Sequence, residues 1–125
     1  MVDVRTDLER YREIPFAEGG RDLEQDEGLD CWGLARMVCQ EMTSVELPID
    51  DSEAMARMGE LTEVIDKGTP RAGDLVLMLR GTHVGACIGE YVVHISKSAG
   101  VQIMSVAAMA RLRIIDKVLR PRRAK

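Results

Sequence analysis

Three side chains in this sequence have the chemistry to cleave an acyl bond: Cys31, His83 and His94. A thiol attacks a carbonyl only as its thiolate, which is favoured at a helix N-terminus and beside an imidazolium. Cys31 lies in Gly28-Leu29-Asp30-Cys31-Trp32-Gly33-Leu34. Leu34, Met37, Val38 and Met42 then recur at i, i+3, i+4 and i+8, the apolar stripe of a helix. Asp30 is suited to cap that helix, which puts Cys31 in its first turn among unpaired backbone N–H groups. Those same groups can hold the oxyanion of a tetrahedral intermediate. Gly33 is expected to clear the approach to Cys31. Taken alone, a cysteine here is more often a small buried packing residue.

The two histidines alter that balance. His83 opens His83-Val84-Gly85-Ala86-Cys87-Ile88, and His94 ends Tyr91-Val92-Val93-His94. If a tight turn near Gly89-Glu90 joins these runs as a hairpin, cross-strand partners sum to 177 or 179. His83 and His94 are then opposed or one step apart on the same face. A base and its orienting partner need that arrangement. The alternatives are a pair of core or surface histidines, or half of an accidental metal site. Cys31 and Cys39 would stand roughly 12 Å apart on one helix, too far to form a disulfide. No Cys-x-x-Cys or His-x-x-x-His spacing suggests zinc. Cys39 and Cys87 read as packing residues.

The elements that must position these groups can be traced along the chain. A short charged helix spans 3–13 and stops at Ile14-Pro15, followed by an irregular loop over 15–29. After the Cys31 helix, a second is expected over 51–66. It has Asp51 or Ser52 as cap and Met55, Met58, Leu61 and Ile65 on one side, and it stops at Lys67-Gly68 before Pro70. Strands are expected at 75–79, 83–88, 91–96, 101–104 and 112–119, with a helical piece at 105–111. Helices followed by hairpin-linked strands give an α+β class, with helices packed on a mostly antiparallel sheet. The length of 125 residues suits one domain, with a core over about 14–120 and a basic, solvated tail at 120–125.

Composition narrows the function. The chain is 46% hydrophobic but only 3% aromatic, so the core is aliphatic and bases have few rings to stack on. Residues 1–66 carry 18 acidic and 6 basic side chains, whereas 67–125 carry 3 acidic and 11 basic. The basic cluster is short and has no recognition motif beside it, which argues against nucleic acid. No apolar run is long enough for membrane insertion. The first ten residues lack the apolar stretch of a secretory signal, so action outside a cell would need another route.

Gly28-Leu29-Asp30-Cys31-Trp32-Gly33-Leu34-Ala35-Arg36, Gly73-Asp74-Leu75-Val76-Leu77, and His83-Val84-Gly85 through Gly89 to Val93-His94 resemble, in order and spacing, the NlpC-type (NlpC/p60) cysteine peptidases. These are papain-like peptidoglycan endopeptidases. The resemblance extends to tail-associated members of phages and prophages, through Gly19-Gly20-Arg21-Asp22-Leu23 ahead of the nucleophile motif. It implies Cys31 as nucleophile, His83 as general base and acid, and His94 as the residue orienting His83. It also implies Asp30 as a contact for the free amine of a stem peptide, and Trp32 and Phe16 as residues of the substrate cleft. Phe16 takes the place of an aromatic that usually carries a hydroxyl, and Trp32 that of a common serine. The implied reaction cleaves the stem peptide between the D-glutamate side-chain carbonyl and the following diamino acid, with no metal or organic cofactor. The implied setting is a virion tail acting at the bacterial wall, with other tail proteins as partners. The competing expectation is a structural tail-tip protein that keeps the fold for assembly.

Overall fold

A computed structural model describes residues 4–123. The chain runs through α1 (Val4–Arg12), α2 (Cys31–Thr43), α3 (Asp51–Ala56), α4 (Met58–Leu61), β1 (Thr62–Ile65), β2 (Leu75–Met78), β3 (His83–Ile88), β4 (Tyr91–Ser96), β5 (Gly100–Ser105), α5 (Val106–Arg111) and β6 (Ile115–Pro121). The strands form one sheet in the order β1-β6-β2-β3-β4-β5, and every pairing is antiparallel. Among the described residues, no helix is long and apolar enough to cross a membrane.

Helix α2 crosses β3 and β4 and buries Leu34, Ala35, Val38 and Cys39 against Ala86, Val93 and Ile95. Each fully buried Leu or Val contributes roughly 1.5–3 kcal/mol. The opposite face of the sheet is sealed by Met109 of α5 over Val76, Met78, Cys87, Val92 and Val118. The helical layer thus covers one half of the first face. The β1-β6-β2 half is left to be walled by α3 and α4.

The single helix expected over 51–66 is not formed. It divides into α3, α4 and the edge strand β1. Its cap is Asp50, whose Oδ1 accepts the Glu53 N–H at 2.9 Å, and not Asp51 or Ser52. Thr62, Val64 and Ile65 are β-branched and pair with Pro121, Leu119 and Val118, so long-range sheet pairing overrides the helical spacing. Met55 is 71% exposed and does not join the core. The tail also begins later than expected. Arg120 and Pro121 belong to β6, and the Arg122 N–H and Nε bond to Leu61 O and Thr62 O. Ala124 and Lys125, like Asp3 at the expected start of the first helix, lie outside the described residues.

Asp74 is almost fully buried at the entry to β2. Arg120 grips both of its oxygens, at 3.1 and 2.9 Å, and the Arg71 N–H adds a 2.7 Å bond. This pair fastens β6 to β2 beneath the α2 layer.

The β2–β3 turn is tighter than the expected strand end at Leu79 allows. Leu79 and Arg80 have φ of 53° and 59°, and the Gly81 N–H bonds to Met78 O at 3.0 Å. Consecutive left-handed residues favour Asn-Gly, and each bulky residue there costs roughly 1–2 kcal/mol. The Asp116 carboxylate holds the turn by accepting the Gly81 N–H at 2.9 Å. The double substitution Leu79→Asn/Arg80→Gly should therefore raise stability by about 1–2 kcal/mol in urea unfolding. Leu79 is 57% exposed, so little packing is lost. An unchanged or lower midpoint would mean the turn carries no such strain.

Candidate active site

The site begins where loop 15–29 meets the first turn of α2. Asp30 caps the helix, its Oδ1 accepting the Gly33 N–H at 2.8 Å. Arg21 clasps the same carboxylate, with Nε to Oδ1 at 3.1 Å and Nη2 to Oδ2 at 2.9 Å, and lies 3.7 Å from Asp51. Gly33 serves this docking and not substrate access: a Cβ there would stand 2.3 Å from Gly20 O. The loop backbone is seated directly on the helix start. In that first turn the Trp32 amide bears on the Cys31 sulfur.

Across from this turn, β3 and β4 carry the histidines. Their register sums to 179, with Ala86 opposite Val93 and Cys87 opposite Val92. Carried one pair further, Gly85 faces His94, and His83 stands one same-face step away. A Cβ on Gly85 would meet His94 Cβ at 3.0 Å and Val93 O at 2.8 Å. The bare glycine lets the His94 ring lie over the strand and reach His83. His83 Nε2 and His94 Nδ1 are 2.9 Å apart, with the rings edge to face. Gly85→Ala should thus cost about 1–3 kcal/mol and break this contact. Thermal unfolding, and loss of the coupled imidazole resonances in NMR, would register both effects.

Cys31 and His83 line one cavity of about 610 Å³. Its other walls include Trp32, Met55, Met58, Leu77, Val84 and Leu119. Trp32 is anchored by its indole N–H to Pro48 O at 3.1 Å. Asp30 and Phe16 are outside this lining: Asp30 is bound to Arg21 and Gly33, and Phe16 bridges Leu29 and packs on the core. His94 stands behind His83.

Burial, then the Asp30 charge, pushes the Cys31 thiol above its ordinary value. The Val84 and Trp32 backbone N–H groups and Arg21 pull it back. Burial lowers His83, and burial together with His83 lowers His94 to about 4. The thiol and both imidazoles are therefore biased to their neutral forms. Cys39 and Cys87 are buried, and burial raises both thiols, Cys87 to about 11.

Sequence reasoning assigned no role to Arg21, Gly85 or the methionine wall. Arg21 lies within a quoted segment, but its partner is fixed by how the loop folds back. Gly85 follows from the hairpin register once 179 is chosen over 177. Met55 and Met58 gave no usable signal, because their spacing mimics a core stripe.

Comparison with known proteins accords with this geometry. The family model described as "NlpC/P60 family" matches residues 13–119. No curated protein sequence matches the chain. Among solved structures, one described as similar to a lipoprotein of the NLP/P60 family, from Staphylococcus aureus, superposes with a TM-score of 0.64 at 19% identity. An NlpC/P60 family protein from Bacillus cereus superposes with a TM-score of 0.65 at 17% identity. These cover 97% and 93% of this chain but 41% and 38% of theirs, so the chain spans about two-fifths of their length. Their α+β fold is the one described above. With the family model matching nearly the whole chain, this protein belongs to the NlpC/P60 family, in general peptidoglycan-hydrolysing cysteine peptidases.

Proposed function

We propose that the chain is a cysteine endopeptidase cleaving the D-γ-glutamyl bond to the diamino acid in peptidoglycan stem peptides, with Cys31, His83 and His94 as its triad. The observation that carries this reading is the shared cavity of Cys31 and His83, with His83 Nε2 tied to His94 Nδ1. That tie leaves Nδ1 of His83 for the thiol. For Nδ1 to accept a proton, Nε2 must carry one and donate it to an unprotonated Nδ1 of His94. A His94 held down to about 4 supplies that acceptor throughout the neutral range.

His83 takes the thiol proton as sulfur bonds to the carbonyl carbon. The Cys31 and Trp32 amides receive the oxyanion. His83 then gives its proton to the leaving nitrogen as the C–N bond breaks, leaving a thioester. Water loses a proton to His83 and attacks that thioester; the C–S bond breaks, and the thiol recovers its proton. Phe16 adds no hydroxyl donor, so backbone amides carry the oxyanion alone. Asp30, paired with Arg21, would greet a substrate amine only after that pair opens.

We further propose action as part of a phage-like tail at the bacterial wall, a reading supported by the Gly19-Gly20-Arg21-Asp22-Leu23 segment. Purified wall incubated with the protein should release fragments with a new diamino-acid amine, and Cys31→Ala should release none. No release by the unmodified protein, alone or within a tail assembly, would leave the structural tail-tip role in its place.

A further inference from the structure

We infer that Lys117 is a specificity-determining residue that reads a carboxylate on the substrate. The cleft would then select an acyl donor with an anionic group beyond an aliphatic stretch from the bond Cys31 attacks. The inference deepens the cysteine-hydrolase reading and rests on it. It starts from register. Lys117 of β6 faces Leu77 of β2, and Leu77 faces Val84 of β3, whose amide N–H bears on the Cys31 sulfur. All three residues line the cavity. Two strand spacings put the Lys117 backbone roughly 10 Å from Val84, and the four-carbon side chain can span much of that distance.

The other charges around the cavity are already engaged. Asp51 lies by Arg21, and Glu63 faces Arg120, whose guanidinium feels its charge. Asp116 holds the Gly81 amide, and Arg122 is tied to Thr62 O at the far end. Lys117 is exposed and has no ion-pair partner among the described residues. Its cavity neighbours Leu77 and Leu119 are apolar and offer an incoming carboxylate no competing partner. One ammonium without a second donor suits a carboxylate better than a phosphate, which calls for several donors.

The test alkylates Cys31 with iodoacetate, an anion, and iodoacetamide, its neutral analogue, at low ionic strength, followed by mass spectrometry of the Cys31 peptide. The ratio of the two rates cancels any change in the thiol itself. Lys117→Met should lower the iodoacetate-to-iodoacetamide ratio about fivefold, and Lys117→Glu further. Lys97→Met, on the remote β4–β5 turn, should leave it unchanged. High salt should erase the differences. An unchanged ratio in Lys117→Met, or an equal fall in Lys97→Met, overturns the inference. Labelling needs only a reactive Cys31, so absent wall cleavage would reject the peptidase reading without altering this result. With a cleavable donor, Lys117→Met should raise KM about tenfold for the free-carboxylate form and leave the carboxamide form unaffected. Equal losses on both forms overturn it as well.

Discussion

Replacing Cys31 with alanine is expected to lower kcat for amide hydrolysis by about 10⁴-fold or more, with the cooperative unfolding transition retained. Among the lining residues described, Cys31 is the one thiol, because Cys39 and Cys87 are buried in the core. Cys31→Ser should be nearly as inactive. A hydroxyl surrenders its proton far less readily than a thiol, and His83 is a weakened base because burial lowers its proton affinity. The same bias fixes the pH dependence. His83 must be neutral to accept the thiol proton, so kcat/KM falls as pH drops through its titration. Burial moves that titration below the ordinary imidazole value of 6.5, so the acid limb lies below 6.5. His94, at about 4, stays neutral across that limb. A pH series on a soluble stem-peptide substrate checks this, and an acid limb above 6.5 would contradict the neutral pair.

Arg120→Ala should be the most destabilising surface-accessible change, costing about 3–5 kcal/mol in urea unfolding. It strands the Asp74 carboxylate, whose side chain is 2% exposed, with only the Arg71 amide as partner. Asp74→Ala should cost less, because Arg120 is 25% exposed and can turn its charge to water. The double variant should cost less than the two single losses together, since it leaves no unpaired buried charge. Against a typical total of about 5–15 kcal/mol, Arg120→Ala removes a large share of the stability. The reverse order of the two single variants would show that the buried carboxylate is not the seat of the cost.

Much of this was legible because local chemistry and tertiary packing agree. Asp30 caps α2 as its residue type suggests, and the β2 to β5 meander follows its alternating residues and turn glycines. The histidine pair followed from hairpin arithmetic alone, to within one register step. The stretch 51–66 failed because Met55, Met58 and Leu61 repeat with helical spacing while Thr62–Ile65 are claimed by β6. Only the β6 partner, more than fifty residues away, decides that contest. Arg120 was read as tail for the same reason: its partner Asp74 is remote in sequence. Gly33 was given the wrong task because the Gly20 carbonyl that forbids a side chain there approaches from a loop with no regular pattern. Lys117 had no signal until the register set it across from Leu77.

The strand order has a consequence for how the chain comes together in time. Strands β2 to β5 pair with sequence neighbours and can close as each hairpin forms, whereas β6 must insert between β1 and β2 after both have been made. During vectorial synthesis the two histidines can therefore meet early. The far wall of the cleft, Asp74's counter-charge and the floor beneath α3 all wait for the last strand. Long-range closure of this kind is slow compared with hairpin formation. Pulse-labelled hydrogen exchange during refolding is expected to show amides of β3 and β4 protected first and those of β1 and β6 last, so Cys31 gains its complete cleft only in the final act of folding.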